Sequence, residues 1–229
     1  MWEQLIEEAP RFFSYYNMLF FAKALGTTFA LSAIGCVVGF TLGFVLAAIR
    51  LTTHPGLKPV RITVQLVTEL VRRIPFLVTL MLVFFIFQGL DADLSMFTVA
   101  LFSVCLIATA FIAEIVRSGL ESVHHNQWDA AATLNFSYWQ VLWWVIIPQA
   151  WKIILPPVFG FFVLFIKDTA LASQIGVIEL AFAGKTMTNK GFSATLVYGT
   201  VLLLYFVLSY TLARFGKYLE TRLAPTQDR

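Results

Sequence analysis

The sequence is short of charge. Of 229 residues only 13% are Asp, Glu, Lys or Arg, while 59% are hydrophobic and the mean hydropathy is +0.80. A soluble domain carries about 25% charged and about 45–50% apolar residues, so this chain is built for lipid. Cysteine is scarce too. Cys36 and Cys105 both lie in apolar runs, read as small buried thiols, and provide no disulfide framework. The net charge is only +3 and no basic block occurs, so a nucleic-acid partner is not expected. Gly184-Lys185-Thr186 looks like the end of a phosphate-binding loop, yet Glu179 occupies the position where that loop requires its first glycine. ATP binding through this motif is excluded. His54, His124 and His125 fall in polar connections, and neighbours on a helix point apart, so no metal site is expected. Glu3, Glu7 and Glu8 stand where a signal peptide would carry lysine or arginine, and none is expected.

What the chain has instead is long apolar runs. A spanning helix takes ~20 mostly apolar residues. The uncharged run between 23 and 50 qualifies, as do 94–113 and 191–213. Residues 74–90 are short for a span, and 60–71 are expected to extend them through Arg72-Arg73-Ile74-Pro75. Residues 153–178 are long enough but interrupted by Lys167 and Asp168. The expectation is an all-α polytopic membrane protein of five spans, the second broken and the fourth charged. Phe12, Phe13, Tyr15 and Tyr16 suggest an interfacial approach to the first span.

Positive charge in short loops sets orientation. Arg50, Lys58 and Arg61 follow span one, Arg214, Lys217 and Arg222 follow span five, and the link after span two has only Asp91 and Asp93. The N-terminus is thus expected outside and the C-terminus in the cytoplasm, with Lys185 and Lys190 running against the rule. That puts 117–152, the longest connection, in the cytoplasm. Within it, Asn126 can cap a helix with Asp129 near the positive end of its dipole. Ala130, Ala131, Ala132 and Leu134 favour helix, and Asn135 suits a left-handed end. Ser137 with Gln140 fits a capping box for a second helix, and Pro148 marks the expected end of that helix.

These spacings carry a resemblance. Asp129-Ala130-Ala131, Asn135 and Val145-Ile146-Ile147-Pro148 resemble the E-A-A-x-x-x-G segment of ABC importer permeases of the polar amino acid uptake family. Ala113-Glu114-Ile115-Val116-Arg117-Ser118-Gly119, Leu155-Pro156-Pro157 and Lys167-Asp168-Thr169-Ala170-Leu171-Ala172-Ser173 look like its flanking segments, and Arg72 with Pro75 like an Arg-Gly-Thr-Pro element. The resemblance implies one transmembrane permease domain over 1–229, multi-pass in the bacterial inner membrane and not itself an enzyme. It implies a coupling helix at Asp129, Ala130, Ala131, Asn135 and Pro148 that docks on ABC ATPase subunits. ATP is bound by those partners, and the chain needs no cofactor of its own. A second permease subunit and an extracytoplasmic substrate-binding protein complete the implied assembly. Departures from the pattern are Asp129 for glutamate, Asn135 for glycine, Trp144 for a basic residue, and Phe159-Gly160-Phe161-Phe162 for Gly-Asn-Gln-Phe.

Ionisable groups inside a span are costly and usually face protein or a watery interior. Lys167 and Asp168 could serve an amino acid's carboxylate and ammonium, with Thr169 and Ser173 adding hydroxyls to the path. A structural ion pair is the competing reading. Glu114 and Arg117 sit three apart and suit a local pair. The rival class is a secondary carrier driven by an ion gradient, although no repeated halves are found. A membrane enzyme would need clustered catalytic groups, and the polar residues are dispersed.

Overall fold

The computed structural model describes residues 2–52 and 54–223. Among them every regular element is helical: α1 Trp2–Phe12, α2 Tyr15–Leu51, α3 Lys58–Arg73, α4 Phe76–Gly89, α5 Met96–Glu121, α6 His125–Thr133, α7 Tyr138–Val141, α8 Ile147–Asp168, α9 Leu180–Asn189 and α10 Ala194–Leu223. A 3-10 turn, Pro55–Leu57, precedes α3, a π-helical turn, Leu142–Ile146, joins α7 to α8, and 3-10 helix Thr169–Ile175 follows α8. The chain is therefore all-α, as its composition predicts.

Four helical runs are long and apolar enough to cross a membrane: Tyr15–Leu51, Met96–Glu121, Tyr138–Ile175 and Ala194–Arg222. A fifth arises only if α3 and α4 count as one broken span. Counted together, the two helices bend by 111° at their break, in keeping with the broken second span expected from the sequence. Ile74 and Pro75 are extended, with ψ of 134° and 140°, because the proline ring disfavours helix in the residue before it. Helix α3 is amphipathic. Arg61, Gln65, Glu69 and Arg72 recur at helical spacing, while Ile62, Leu66 and Leu70 are exposed on a different face. Pro148 is a correction to the sequence expectation, for it ends no helix. The chain stays helical from Tyr138 to Ile175, and the wider π turn just before Pro148 carries the Ile147 N–H to the Leu142 carbonyl. Pro148 then lies just past that π turn, within a run that stays helical on both sides of it. The polar connection between long helices consequently shrinks to the stretch from α6 to the turn before α7. The C-terminal residues 224–229 lie outside the described residues, so the end expected in the cytoplasm is not among them.

The chain divides into two compact units. The first takes residues 1–35, 75–104 and 163–211. One apolar cluster there gathers Phe12, Phe21, Leu180, Ala183, Met187 and Val197, and another gathers Leu31, Leu80, Val99, Ala172 and Ile175. Glu179 is fully buried between them in sequence and caps α9, accepting from the N–H groups of Ala181 at 2.9 Å and Phe182 at 2.7 Å. The Tyr205 hydroxyl donates to the same carboxylate at 2.8 Å, and Thr28 Oγ1 accepts the Leu180 N–H at 3.1 Å. Burial pushes the Glu179 carboxyl up from its usual range, with these hydrogen bonds pulling the other way.

The second unit takes 36–74, 105–162 and 212–229. Helix α2 approaches α5 closely here, because Gly39 and Gly43 carry no side chain. A Cβ on Gly43 would sit 2.8 Å from the Ala113 nitrogen and 3.1 Å from the Thr109 carbonyl oxygen. Small residues four apart let helix backbones meet in this way in membranes. Aromatic contacts fill the remaining space: Phe111 stacks on Phe161 with centroids 5.5 Å apart, and Phe40 meets Trp151 edge-on at 5.7 Å.

Candidate functional site

Two features of the second unit have functional geometry. The first is α6. His124, not Asn126, is its N-cap, with Nδ1 accepting the Asn126 N–H at 3.2 Å. The histidine ring nitrogen does here what a capping oxygen does elsewhere. The helix therefore begins earlier, and Asp129 stands at its middle, 65% exposed, with His125 Nε2 at 3.4 Å. The far end forms a Schellman turn. Asn135 adopts φ 58°, the Phe136 N–H reaches the Ala131 carbonyl, and the Asn135 N–H reaches that of Ala132. Asparagine thus supplies the left-handed residue that glycine would otherwise supply. Gln140 Oε1 then accepts the Ser137 N–H at 2.8 Å, as the capping box requires.

This elbow is fixed at its base. Ala131 is buried, Trp128 stacks on Tyr138, and the Tyr138 hydroxyl donates to the Ala48 carbonyl at 2.6 Å, tying it to the end of α2. Asp129, Ala130, Asn135 and Pro148 are exposed. Leu134, Trp139, Trp143 and Trp144 add exposed apolar surface. A cavity of about 560 Å³ opens beside α6, with Trp128, Asp129, Ala132, Phe136 and Glu121 in its wall.

The second feature is a charged cavity of about 680 Å³. One wall is the polar stripe of α3: Arg61, Gln65, Glu69 and Arg72, with Arg73 at its end. The other is a stripe of α5, Phe111, Glu114, Arg117 and Glu121, at matching helical spacing. Glu114 is the hub. Its carboxylate receives Arg50 at 2.8 Å, Arg72 at 3.4 Å and Arg117 at 2.5 Å, and Arg117 also pairs with Glu121. Arg50 is only 8% exposed, so its charge depends on that partner. The Arg72 guanidinium lies 5.6 Å from the centroid of Phe111, within cation–π range. Of this constellation the sequence reading found only the Glu114–Arg117 pair. The signal for the rest was the polar recurrence at 61, 65, 69 and 72, which a search for continuous apolar spans passes over.

The remaining candidates lie in the first unit. Lys167 and Asp168 are exposed, and no ion pair within 4 Å involves either among the described residues. The backbone changes from α to 3-10 helix directly after Asp168. Thr169 is fully buried and donates to the Ile166 carbonyl at 2.7 Å, while Ser173 is partly exposed.

Residues 39–225, nearly all of this geometry, match the family described as the inner membrane component of binding-protein-dependent transport systems. The chain belongs to that family. A probable amino-acid ABC transporter permease protein, YckA of Bacillus subtilis, is 32% identical over 88% of each chain. The L-cystine transport system permease protein TcyB of the same organism is 31% identical, over 82% of this chain and 81% of that one. The crystal structure of an amino acid ABC transporter with histidines superposes with a TM-score of 0.81 at 26% identity, covering 90% of this chain and 94% of that chain. As a member of the family the chain is a multi-pass permease subunit of an ABC importer in the bacterial inner membrane. It is not an enzyme, nor a carrier driven by an ion gradient, and it works with ABC ATPase subunits.

Proposed function

We propose that this permease carries a polar amino acid received from an extracytoplasmic binding protein, and that α6 is the helix through which the ATPases drive it. The single observation behind the coupling role is the build of the elbow: an exposed Asp129-Ala130 face on a helix whose base is locked by Ala131, the Asn135 turn and the Trp128–Tyr138 stack. A short alanine-rich helix can seat deeply in a groove, and a fixed base passes on rigid-body motion instead of absorbing it. The amino-acid cargo is suggested by what the similar proteins YckA and TcyB are named for.

In this reading the N-terminus lies outside and the C-terminus inside, following the lysine and arginine of the loops. The whole chain acts as one permease domain, paired with a second copy or a relative about a central path. Lys167, Asp168, Thr169 and Ser173 border that path, and ATP stays with the partner subunits.

Asp129→Arg and Ala130→Trp variants in proteoliposomes containing the ATPases and binding protein test the coupling role. Uptake and transport-stimulated ATP hydrolysis are expected to fall about tenfold or more, as for a lost charged or buried interface contact, with membrane insertion unchanged. Wild-type uptake in both variants would remove α6 from the coupling role.

A further inference from the structure

The charged cavity carries a surplus of positive charge. Five arginines and three glutamates line it, and two of those carboxylates are already taken, Glu114 by Arg50, Arg72 and Arg117, and Glu121 by Arg117. Among the described residues no carboxylate lies within 4 Å of Arg61 or Arg73. Arg61 donates instead to the neutral Thr52 carbonyl, at 2.8 Å. Arg72 is underused as well, for it reaches Glu114 with one Nη at 3.4 Å while its buried Nε has no acceptor. A buried guanidinium N–H without a partner is rare, because losing water without a replacement is costly. Phe111 lies 5.6 Å from that guanidinium and is itself stacked on Phe161, which holds the donor fork in one plane. Three arginines of α3 thus border one cavity with donors to spare.

The surface beside this stripe is apolar. One residue on from Arg61, Gln65 and Glu69 stand Ile62, Leu66 and Leu70, about 100° further round α3. All three are exposed, Leu66 by 63% and Leu70 by 61%. The cavity also lies where two membrane-crossing helices end, since Arg50 belongs to the last turn of α2 and Glu121 closes α5. Spare cations, an apolar strip alongside them and the ends of two spans are what an amphiphilic anion requires. We infer that the cavity seats an anionic phospholipid, its phosphodiester on Arg72 with Arg61 and Arg73 around it, and an acyl chain along Ile62, Leu66 and Leu70. A guanidinium fork matches two phosphate oxygens at once, and basic pockets beside membrane helices take lipid headgroups in this way. Free phosphate offers the same charge but has no use for the apolar strip, so the strip commits the site to a lipid. Glu69 fits within it. It has only the neutral Gln65 amide, at 3.0 Å, and can accept from hydroxyls next to the phosphate, as in phosphatidylglycerol. In the orientation proposed above the cavity lies on the cytoplasmic side, whose leaflet attracts such basic segments through its anionic lipids.

The test uses the permease assembled with its ATPases, delipidated in detergent and titrated with phosphatidylglycerol or with phosphatidylcholine of the same acyl chains. Native mass spectrometry counts the bound lipid. Wild type is expected to hold phosphatidylglycerol on the order of tenfold more tightly, and Arg73→Gln to weaken it about fivefold, the worth of one arginine at a lipid surface. Arg73 is exposed and outside the Glu114 cluster, so its replacement probes recognition without disturbing the fold. Arg72→Gln should remove most of the preference between the two lipids. If that variant fails to assemble, Arg72→Lys keeps the charge without the fork and should lose part of it. Leu66→Gln and Leu70→Gln should each weaken phosphatidylglycerol about tenfold, as for a leucine half withdrawn from apolar contact. Inorganic phosphate in excess separates the two sources of the anion and should displace the lipid poorly. Ready displacement by phosphate, or leucine variants that bind phosphatidylglycerol like wild type, overturns the lipid assignment. A wild type without preference between the two lipids, or arginine variants that keep it undiminished, overturns the site altogether.

Discussion

Two carboxylates, one in each unit, are stabilised in opposite ways. Glu179 receives only neutral donors, two backbone N–H groups and a tyrosine hydroxyl, inside an apolar surround. Glu114 receives three guanidinium groups at the rim of a polar cavity. Neutral donors bind a carboxylate and an amide oxygen almost alike, whereas clustered cations need the negative charge itself. The first arrangement is a cap that pins a short helix. The second gathers positive charge at one place.

The same substitution in both places breaks the comparison most sharply. Glu114→Gln leaves Arg50, Arg72 and Arg117 facing one another and is expected to destabilise the protein by about 3 kcal/mol, the upper end for hydrogen bonds to a charged group. Denaturant titration in micelles measures this, and Glu114→Asp should recover part of the loss. Next in size is a contrast within α2. Gly43→Ala drives a Cβ against the α5 backbone and should cost about 1–3 kcal/mol. Gly26→Ala, where nothing lies within 4 Å, should instead stabilise by roughly 0.5–1 kcal/mol through helix propensity, visible as a raised Tm. Smaller again is Glu179→Gln, whose single oxygen can keep the Ala181 N–H and the Tyr205 hydroxyl but not also the Phe182 N–H; about 1 kcal/mol is expected, and the same for Tyr205→Phe.

The smallest effect is one of pH. The folded Glu179 carboxyl titrates above its unfolded value, so the folded chain keeps that proton to higher pH. Its contribution is fully present below the unfolded value and disappears as pH rises through the folded one. Glu179→Gln mimics the protonated form and should flatten that slope. An unchanged slope would mean that neighbouring donors already cancel the burial.

Legibility in the sequence followed the range of the interactions. The spans at α2, α5 and α10 were readable because apolar length is a local property. So were Asn135 at a left-handed turn and the Ser137–Gln140 box, whose bonding partners lie within a few residues. Pro148 misled because its effect depends on whether the preceding turn widens, and the π turn there has no composition of its own. His124 was passed over because a ring nitrogen is an uncommon cap. The break between α3 and α4 is legible at Ile74-Pro75, while the polar stripe of α3 emerges only when its residues are placed in helical phase.

By itself the sequence determined an all-helical membrane chain, the elbow with its exposed aspartate and alanine, and the family that these spacings resemble. Those depend on residue type at short separation, which the covalent chain already enforces. Only the tertiary structure decided that Arg50, Arg72 and Arg117 converge on Glu114, and that Tyr205 and Thr28 close around the Glu179 cap. Such pairings join residues far apart in the chain, and attraction between charges depends on distance in space, which the order of residues does not fix.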